Sequence, residues 1–173
     1  RCCGLRINEC YGLKWENVDI KHGTITIDRQ MQYQEGLIKL VSLKTRNARR
    51  TVYMSDKLKS YFLQLERERK AQTATQAVQR AQNQTFIIDG KQISSLELVN
   101  SLPNGKIQTV NSMKYHSRTI KSELGINFKY HHLRHTYGTR LAEMNTPTHI
   151  LCNQMGHASG KVTERYYLAV SKP

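Results

Sequence analysis

Four short segments of this chain carry arginine, lysine, histidine and tyrosine, side chains whose types could do chemistry on a phosphate. Gly4-Leu5-Arg6-Ile7-Asn8-Glu9 sets Arg6 and Glu9 three residues apart, on one face of a helix. Leu43-Lys44-Thr45 places a lysine at the tip of a hairpin. His131-His132-Leu133-Arg134-His135-Thr136 puts His131 and Arg134 on one face of a helix start, and Met155-Gly156-His157 is followed nine positions later by Tyr166, with Tyr167 adjoining. Guanidinium groups present planar, paired donors and stay charged at any working pH, which suits phosphate oxygens. A phenol is a poor nucleophile while protonated and needs a base or a proton path. Singly, each segment has a plainer reading. A helical Arg–Glu pair is usually a surface ion pair worth roughly a few tenths of a kcal/mol. A hairpin lysine is usually solvated, and a histidine after glycine commonly caps or packs.

Around these residues the chain reads as an α+β domain, mostly helical. Leu5, Ile7, Cys10, Tyr11 and Leu13 give apolar spacing for a helix over 5–17, with Gly12 as its weak point. A turn at 19–23 leads to the alternating strand 24–27. Strands over 37–43 and 49–54 follow, joined by the basic tip Lys44-Thr45-Arg46-Asn47, so a small three-stranded antiparallel sheet is expected with Lys44 on its last turn. Ser55-Asp56 offers an N-cap for a long helix carrying Leu58, Tyr61, Phe62 and Leu65. Its continuation over 71–84, rich in Gln and Ala, reads as an exposed helical extension or a mobile linker. Apolar structure restarts at Phe86-Ile87-Ile88, and Leu102-Pro103-Asn104-Gly105 is a turn. Helices are expected over 110–123, ending at Gly125, then from His131 to Met144, and over 148–155 and 160–168.

The composition carries 27 Lys+Arg against 13 Asp+Glu, a formal net charge of +14. Such an excess favours a polyanionic partner, because each cation docked on a phosphate releases condensed counterions. Cys2, Cys3, Cys10 and Cys152 show no CxxC spacing for zinc, and free thiols in a reducing cytosol are expected. No apolar run reaches the length needed to span a bilayer, and no signal peptide is evident. The opening Arg1-Cys2-Cys3-Gly4, without methionine, suggests one domain cut from a longer protein.

Taken together, GLRINE, the hairpin lysine, HHLRHT, GHAS and TERYY resemble the tyrosine recombinase (phage integrase) family in order and spacing, with the wording closest to integrases of conjugative transposons and temperate phages. The resemblance runs over most of the chain and is least distinctive between about 60 and 105. It implies a catalytic domain over 1–173 that cleaves and rejoins DNA strands through a 3′-phosphotyrosine, lacking the family's N-terminal DNA-binding domain. Arg6 and Arg134 would clamp the phosphate, and Tyr166 would attack it. His131 would accept a proton, Lys44 would protonate the departing 5′-oxygen, His157 would bond a non-bridging oxygen, and Glu9 would orient the arginines. No metal or cofactor is implied, and no carboxylate cluster is spaced to hold Mg²⁺.

Tyr167 is the rival nucleophile, and the family spacing favours Tyr166. His132 stands where the family often has Asp, outside the catalytic positions; His135 and Thr136 fit the box as packing and hydrogen-bonding residues. Double-stranded DNA is the expected partner, with Arg46, Arg49, Arg50, Lys114, Arg118 and Lys121 as candidate phosphate contacts. The resemblance further implies a cytoplasmic enzyme acting as a tetramer on paired sites, and the chain by itself is expected to be monomeric. Two rival readings use the same residues: a type IB topoisomerase, which relaxes supercoils without exchanging partners, and a non-catalytic DNA-binding module. The brevity of the chain and the wording of its motifs favour recombination over the first. The intact nucleophile argues against the second.

Overall fold

The computed structural model describes residues 3–71, 85–93, 96–102 and 106–170. Its first helix is shorter than the sequence suggests: α1 spans Ile7–Tyr11 and stops at Gly12, and a separate 3-10 turn covers Trp15–Asn17. The reason is tertiary. A Cβ on Gly12 would lie 2.8 Å from the backbone nitrogen of Met31, so a neighbouring strand passes too close for a larger residue. Beyond Gly12 the backbone is taken up in pairing instead of helix: Val99 N–H donates to the Leu13 carbonyl at 2.9 Å and Trp15 N–H to that of Glu97 at 3.0 Å.

The strands are β1 (Val18–Asp19), β2 (Thr24–Ile27), β3 (Arg29–Gln34), β4 (Leu37–Ser42), β5 (Arg50–Tyr53), β6 (Phe86–Ile88) and β7 (Lys91–Ile93). The expected three-stranded antiparallel sheet is present, in the order β1-β2-β5, but with a different membership. The stretch expected over 37–43 is β4 of a second sheet, ordered β3-β4-β6-β7, in which β4 and β6 run parallel. Its hairpin partner is β3, a strand that the sequence alone does not announce. Only Met31 and Tyr33 mark an apolar alternation in Arg-Gln-Met-Gln-Tyr-Gln, so the period is faint. The turn between them is Glu35-Gly36, with φ of 52° and 78°, the doubly left-handed form that matches strand twist. The chain therefore leaves the first sheet after β2 and returns to it at β5. Lys44 lies on that return segment between two sheets, which corrects its expected place at a hairpin tip.

Helix α2 (Asp56–Ala71) starts where expected, with Leu58 N–H donating to Ser55 Oγ at 3.3 Å. Of the extension expected beyond it, residues 72–84 lie outside the described residues, as do 103–105 of the expected turn. Helix α3 (Val110–Leu124) is closed by Gly125 at φ 66°. The last three helices are α4 (Tyr130–Glu143), α5 (Thr148–Met155) and α6 (Gly160–Val170), each within two residues of its expected limits.

Three apolar cores result. Tyr11, Met31, Leu40 and Phe86 join α1 to the second sheet. Ile25, Ile27, Val52 and Phe62 join the first sheet to α2. Ala142, Leu151, Met155 and Tyr166 lock α4, α5 and α6 together. Burying a Val, Leu, Ile, Phe or Met side chain among these contributes about 1.5–3 kcal/mol. Among the described residues, Cys10 and Cys152 carry free thiols, and no helix is long and apolar enough to cross a membrane.

Candidate active site

Glu9 is the residue on which the cations converge. Its carboxylate, 1% exposed, accepts four hydrogen bonds. The Arg6 backbone N–H donates to Oε2 at 2.8 Å, closing the start of α1, and Arg6 Nη1 donates to Oε1 at 2.8 Å. Arg50 Nη1 and Nη2 supply the other two, at 3.2 and 2.9 Å. Burial alone would raise the Glu9 carboxyl, but the bonds and charge of Arg50, with the bonds from Arg6, outweigh it and hold the group below its ordinary value. Arg6 also donates from Nη2 to the Gly156 carbonyl at 3.1 Å, and its side chain remains 40% exposed. It is the cation of this group that faces outward.

Arg134 comes from α4 and is buried. Its guanidinium donates to the carbonyls of Gly4 and Met155, joining the first box of the sequence to the last. Desolvation first, then the charges of Arg6 and Arg50, bring it down to about 10, so it is cationic at neutral pH. His157 follows the left-handed Gly156 (φ 61°) that ends α5, and is also buried. Its Nδ1 lies 2.9 Å from Thr163 Oγ1 on α6. Burial, and then Arg134, Arg6 and Arg50, lower it to about 4, which keeps the imidazole neutral.

Tyr166 sits on α6, 7% exposed, as a member of the third core. Its ring lies nearly parallel to that of His157, with centroids 6.0 Å apart, and on Gly138 of α4, where a Cβ would come within 2.6 Å of the ring. The phenol is raised above its ordinary value by burial, and the neighbouring Arg134 and Arg6 pull against that rise. Tyr167, the rival, turns elsewhere: its hydroxyl donates to the Thr146 carbonyl. Successive helix positions point about 100° apart, so the two hydroxyls are directed to different surroundings although both rings pack on the third core.

His131 is exposed on α4 and packs edge-on against His135, with ring centroids 4.5 Å apart. Desolvation of its packed side, then His135, Arg134 and Arg6, lower its value. His135 in turn lies 5.6 Å from the Tyr166 ring, so it spans the gap between His131 and the tyrosine. Lys44 is exposed on its segment, and no hydrogen bond or ion pair ties it to another described residue. The fold thus brings Arg6, Glu9, His131, Arg134, His157 and Tyr166 within range of one another's charges or rings, and leaves Lys44 apart.

The candidate phosphate contacts divide. Lys114, Arg118 and Lys121 are exposed on α3 and line, with Lys129, Phe128 and His131, a groove of about 450 Å³. Arg49 is exposed, while the side chain of Arg46 lies outside the described residues. Arg50 contradicts its expected place on the DNA surface. Its side chain is 5% exposed and its donors are occupied internally. Strand geometry explains the inward turn of Arg50: side chains of β5 alternate between buried and exposed, and Arg50 falls on the buried face with Val52, whereas Arg49 precedes the strand.

Sequence reading misses Thr163, Gly138 and the inward role of Arg50. Thr163 stands three residues before Tyr166, on the same turn of α6, and that spacing is a usable signal. Gly138 inside a helix is another, since an interior glycine costs about 1 kcal/mol against alanine and needs a reason. No group of three or more His, Cys, Asp or Glu among the described residues is placed to hold a metal ion.

Comparison with known proteins follows this geometry. A family model described as the phage integrase family matches residues 1–172. A tyrosine recombinase XerC-like protein of Caldanaerobacter subterraneus subsp. tengcongensis is 27% identical over 177 residues, covering 96% of this chain and 43% of that protein. The Tn1549 transposon integrase, solved in complex with transposon right end DNA, superposes with a TM-score of 0.71 at 25% identity, over 95% of this chain and 50% of that one. The XerA recombinase shares the fold, with a TM-score of 0.63 at 18% identity over 96% of this chain and 49% of that one. The chain spans about half the length of these relatives or less.

Proposed function

The chain belongs to the phage integrase family, and from that premise we propose that residues 1–173 act as a catalytic domain that cuts and rejoins DNA strands. The observation that carries this reading is the seat of Tyr166. A buried phenol lies against His157 and His135, within the field of Arg134 and Arg6.

The chemistry follows from these placements. Attack of the Tyr166 hydroxyl oxygen on phosphorus forms a bond from enzyme to DNA and breaks the bond to the 5′-oxygen. A 3′-phosphotyrosyl link and a free 5′-hydroxyl result. Because one phosphodiester replaces another, religation to a new 5′-hydroxyl needs no ATP. The raised phenol must lose its proton during attack, and His131, lowered and therefore neutral, takes it directly or by way of its neighbour His135. Lys44 gives a proton to the departing 5′-oxygen. Arg6 and Arg134 meet the charge that builds on the non-bridging oxygens, and such fixed donors are worth about 10²–10³ in rate each. His157, neutral and held by Thr163, donates to one of those oxygens.

Double-stranded DNA is the substrate in this reading. Lys114, Arg118 and Lys121 contact its phosphates along the groove that His131 also lines. Each copy cuts one strand, so exchange between two duplexes calls for four copies.

Covalent trapping tests the reaction and the nucleophile together. Wild type, Tyr166→Phe and Tyr167→Phe are incubated, without added metal, with nicked duplexes whose short cleaved end diffuses away, then run on a denaturing gel. An adduct lost only in Tyr166→Phe is expected. Loss only in Tyr167→Phe would transfer the role to that residue. Tight DNA binding by wild type with no adduct would favour a binding module instead.

A further inference from the structure

The geometry points to Arg50 as a positioning residue that sets the Lys44 segment against the Arg6–Glu9 pair, an inference that rests on the reaction proposed above. Arg50 lies beside a run of basic residues and has the composition of a DNA contact, yet it cannot be one. Nε donates to the Gln154 carbonyl at 2.9 Å, Nη1 to the Ala48 carbonyl at 2.8 Å and to Glu9 Oε1 at 3.2 Å, and Nη2 to Glu9 Oε2 at 2.9 Å. Four of the five N–H groups a guanidinium offers are therefore spent inside the protein.

What Arg50 holds matters more than that it is held. The Ala48 carbonyl ends the segment that carries Lys44, and Ala48 N–H closes on the Thr45 carbonyl at 3.1 Å, so the turn just after Lys44 is internally bonded and anchored at one point. Gln154 precedes Met155, whose carbonyl binds Arg134, and Gly156, whose carbonyl binds Arg6. Gly156 suits this turn twice over: its φ of 61° favours glycine, and a Cβ on it would lie 2.8 Å from Arg50 Nη1 and displace the guanidinium. Glu9 closes the circuit, because the carboxylate that receives the Arg50 fork also receives Arg6. One buried guanidinium thus connects the loop of the candidate proton donor, the turn before His157 and the carboxylate that aims Arg6. Lys44 has no hydrogen bond or ion pair of its own to another described residue, which leaves the Ala48 anchor to fix the end of its segment.

The test compares wild type, Arg50→Lys and Arg50→Met on nicked duplexes, with DNA affinity titrated at several salt concentrations. Two scissile linkages are used: the normal phosphodiester, and one with sulfur replacing the bridging 5′-oxygen. Sulfur departs without protonation, so it bypasses Lys44. Affinity is expected to stay within about twofold of wild type with an unchanged salt slope, since Arg50 meets no phosphate. The adduct rate on the normal duplex is expected to fall by about 100-fold. On the sulfur duplex most of that deficit should disappear, a recovery that a general loss of folding would not produce. Arg50→Lys keeps the charge but not the fork, and should show the same recovery if Arg50→Met does not fold. An equal deficit on both duplexes would overturn the proposal. So would a normal adduct rate on bound DNA with a salt slope reduced by about 1, the mark of a phosphate contact. A wild type that forms no adduct on either duplex would instead sink the reaction itself.

Discussion

Arg134, Glu9 and His157 are enclosed by protein, whereas Lys44 and His131 stand at the surface. The two groups of the site are held by different forces. In the enclosed part, each charge is fixed by several bonds to backbone carbonyls or to a partner charge. In the exposed part, the groups proposed to meet the substrate and pass protons are left with few bonds. A buried cation needs no reorganisation when charge builds on a phosphate, which is where preorganised donors are most effective. A proton donor gains from reach instead. Arg6 sits on the boundary: bonded to Glu9 and Gly156 on one side and open to solvent on the other.

The contrast can be broken most forcefully at Glu9. Glu9→Ala leaves the buried Arg50 charge without a partner and should cost about 3–5 kcal/mol of stability in urea denaturation. A loss below about 1 kcal/mol would mean that the enclosed charges are not held as described. Arg134→Lys keeps the charge but cannot reach the Gly4 and Met155 carbonyls with one compact ammonium. Its rate of adduct formation should fall by about 10²–10³-fold in single-turnover trapping.

A smaller effect separates the two histidines by pH. His157 folds with a value near 4, below its ordinary 6.5, so the unfolded chain takes up the proton first. Its contribution to stability is complete above pH 6.5 and is lost as pH falls from there towards 4. His157→Asn should flatten the urea midpoint across that window, while His131→Asn, at an exposed position, should change it much less. Glu9 acts lower on the scale: its folded carboxyl is held below 4.5, so its contribution is complete above pH 4.5 and is lost as pH falls from there through the folded value. The smallest change in stability belongs to Lys44→Ala, expected within about 0.5 kcal/mol of wild type by urea denaturation. Adduct formation on a normal duplex should nevertheless slow, and a stability loss above that range would show that the lysine is bonded into the fold.

Much of this site is legible in the amino-acid sequence. The boxes around Arg6, Arg134 and His157 stand out as short motifs, because each lies near a helix start or a helix end whose signals are local, and Tyr166 is found by its spacing from His157. Ser55 before α2 and Gly125 after α3 set their limits for the same reason. The strands are harder to read. Met31 and Tyr33 give a weak alternation, and 37–43 is equally consistent with either sheet until its partner is known. Arg50 reads as a surface residue because charge and neighbours say nothing about which way a strand faces.

Which chemistry-bearing residues the chain owns, in what order, and where most of its helices begin and end all follow from the linear order of residues, since they depend on contacts within a few positions. Long-range packing settles the rest: Lys44 lies between two sheets, Gly138 makes room for the Tyr166 ring, and Arg50 turns inward to Glu9. Strand partners and faces are set by pairing across long stretches of chain, and a shift of one residue in register exchanges inside for outside.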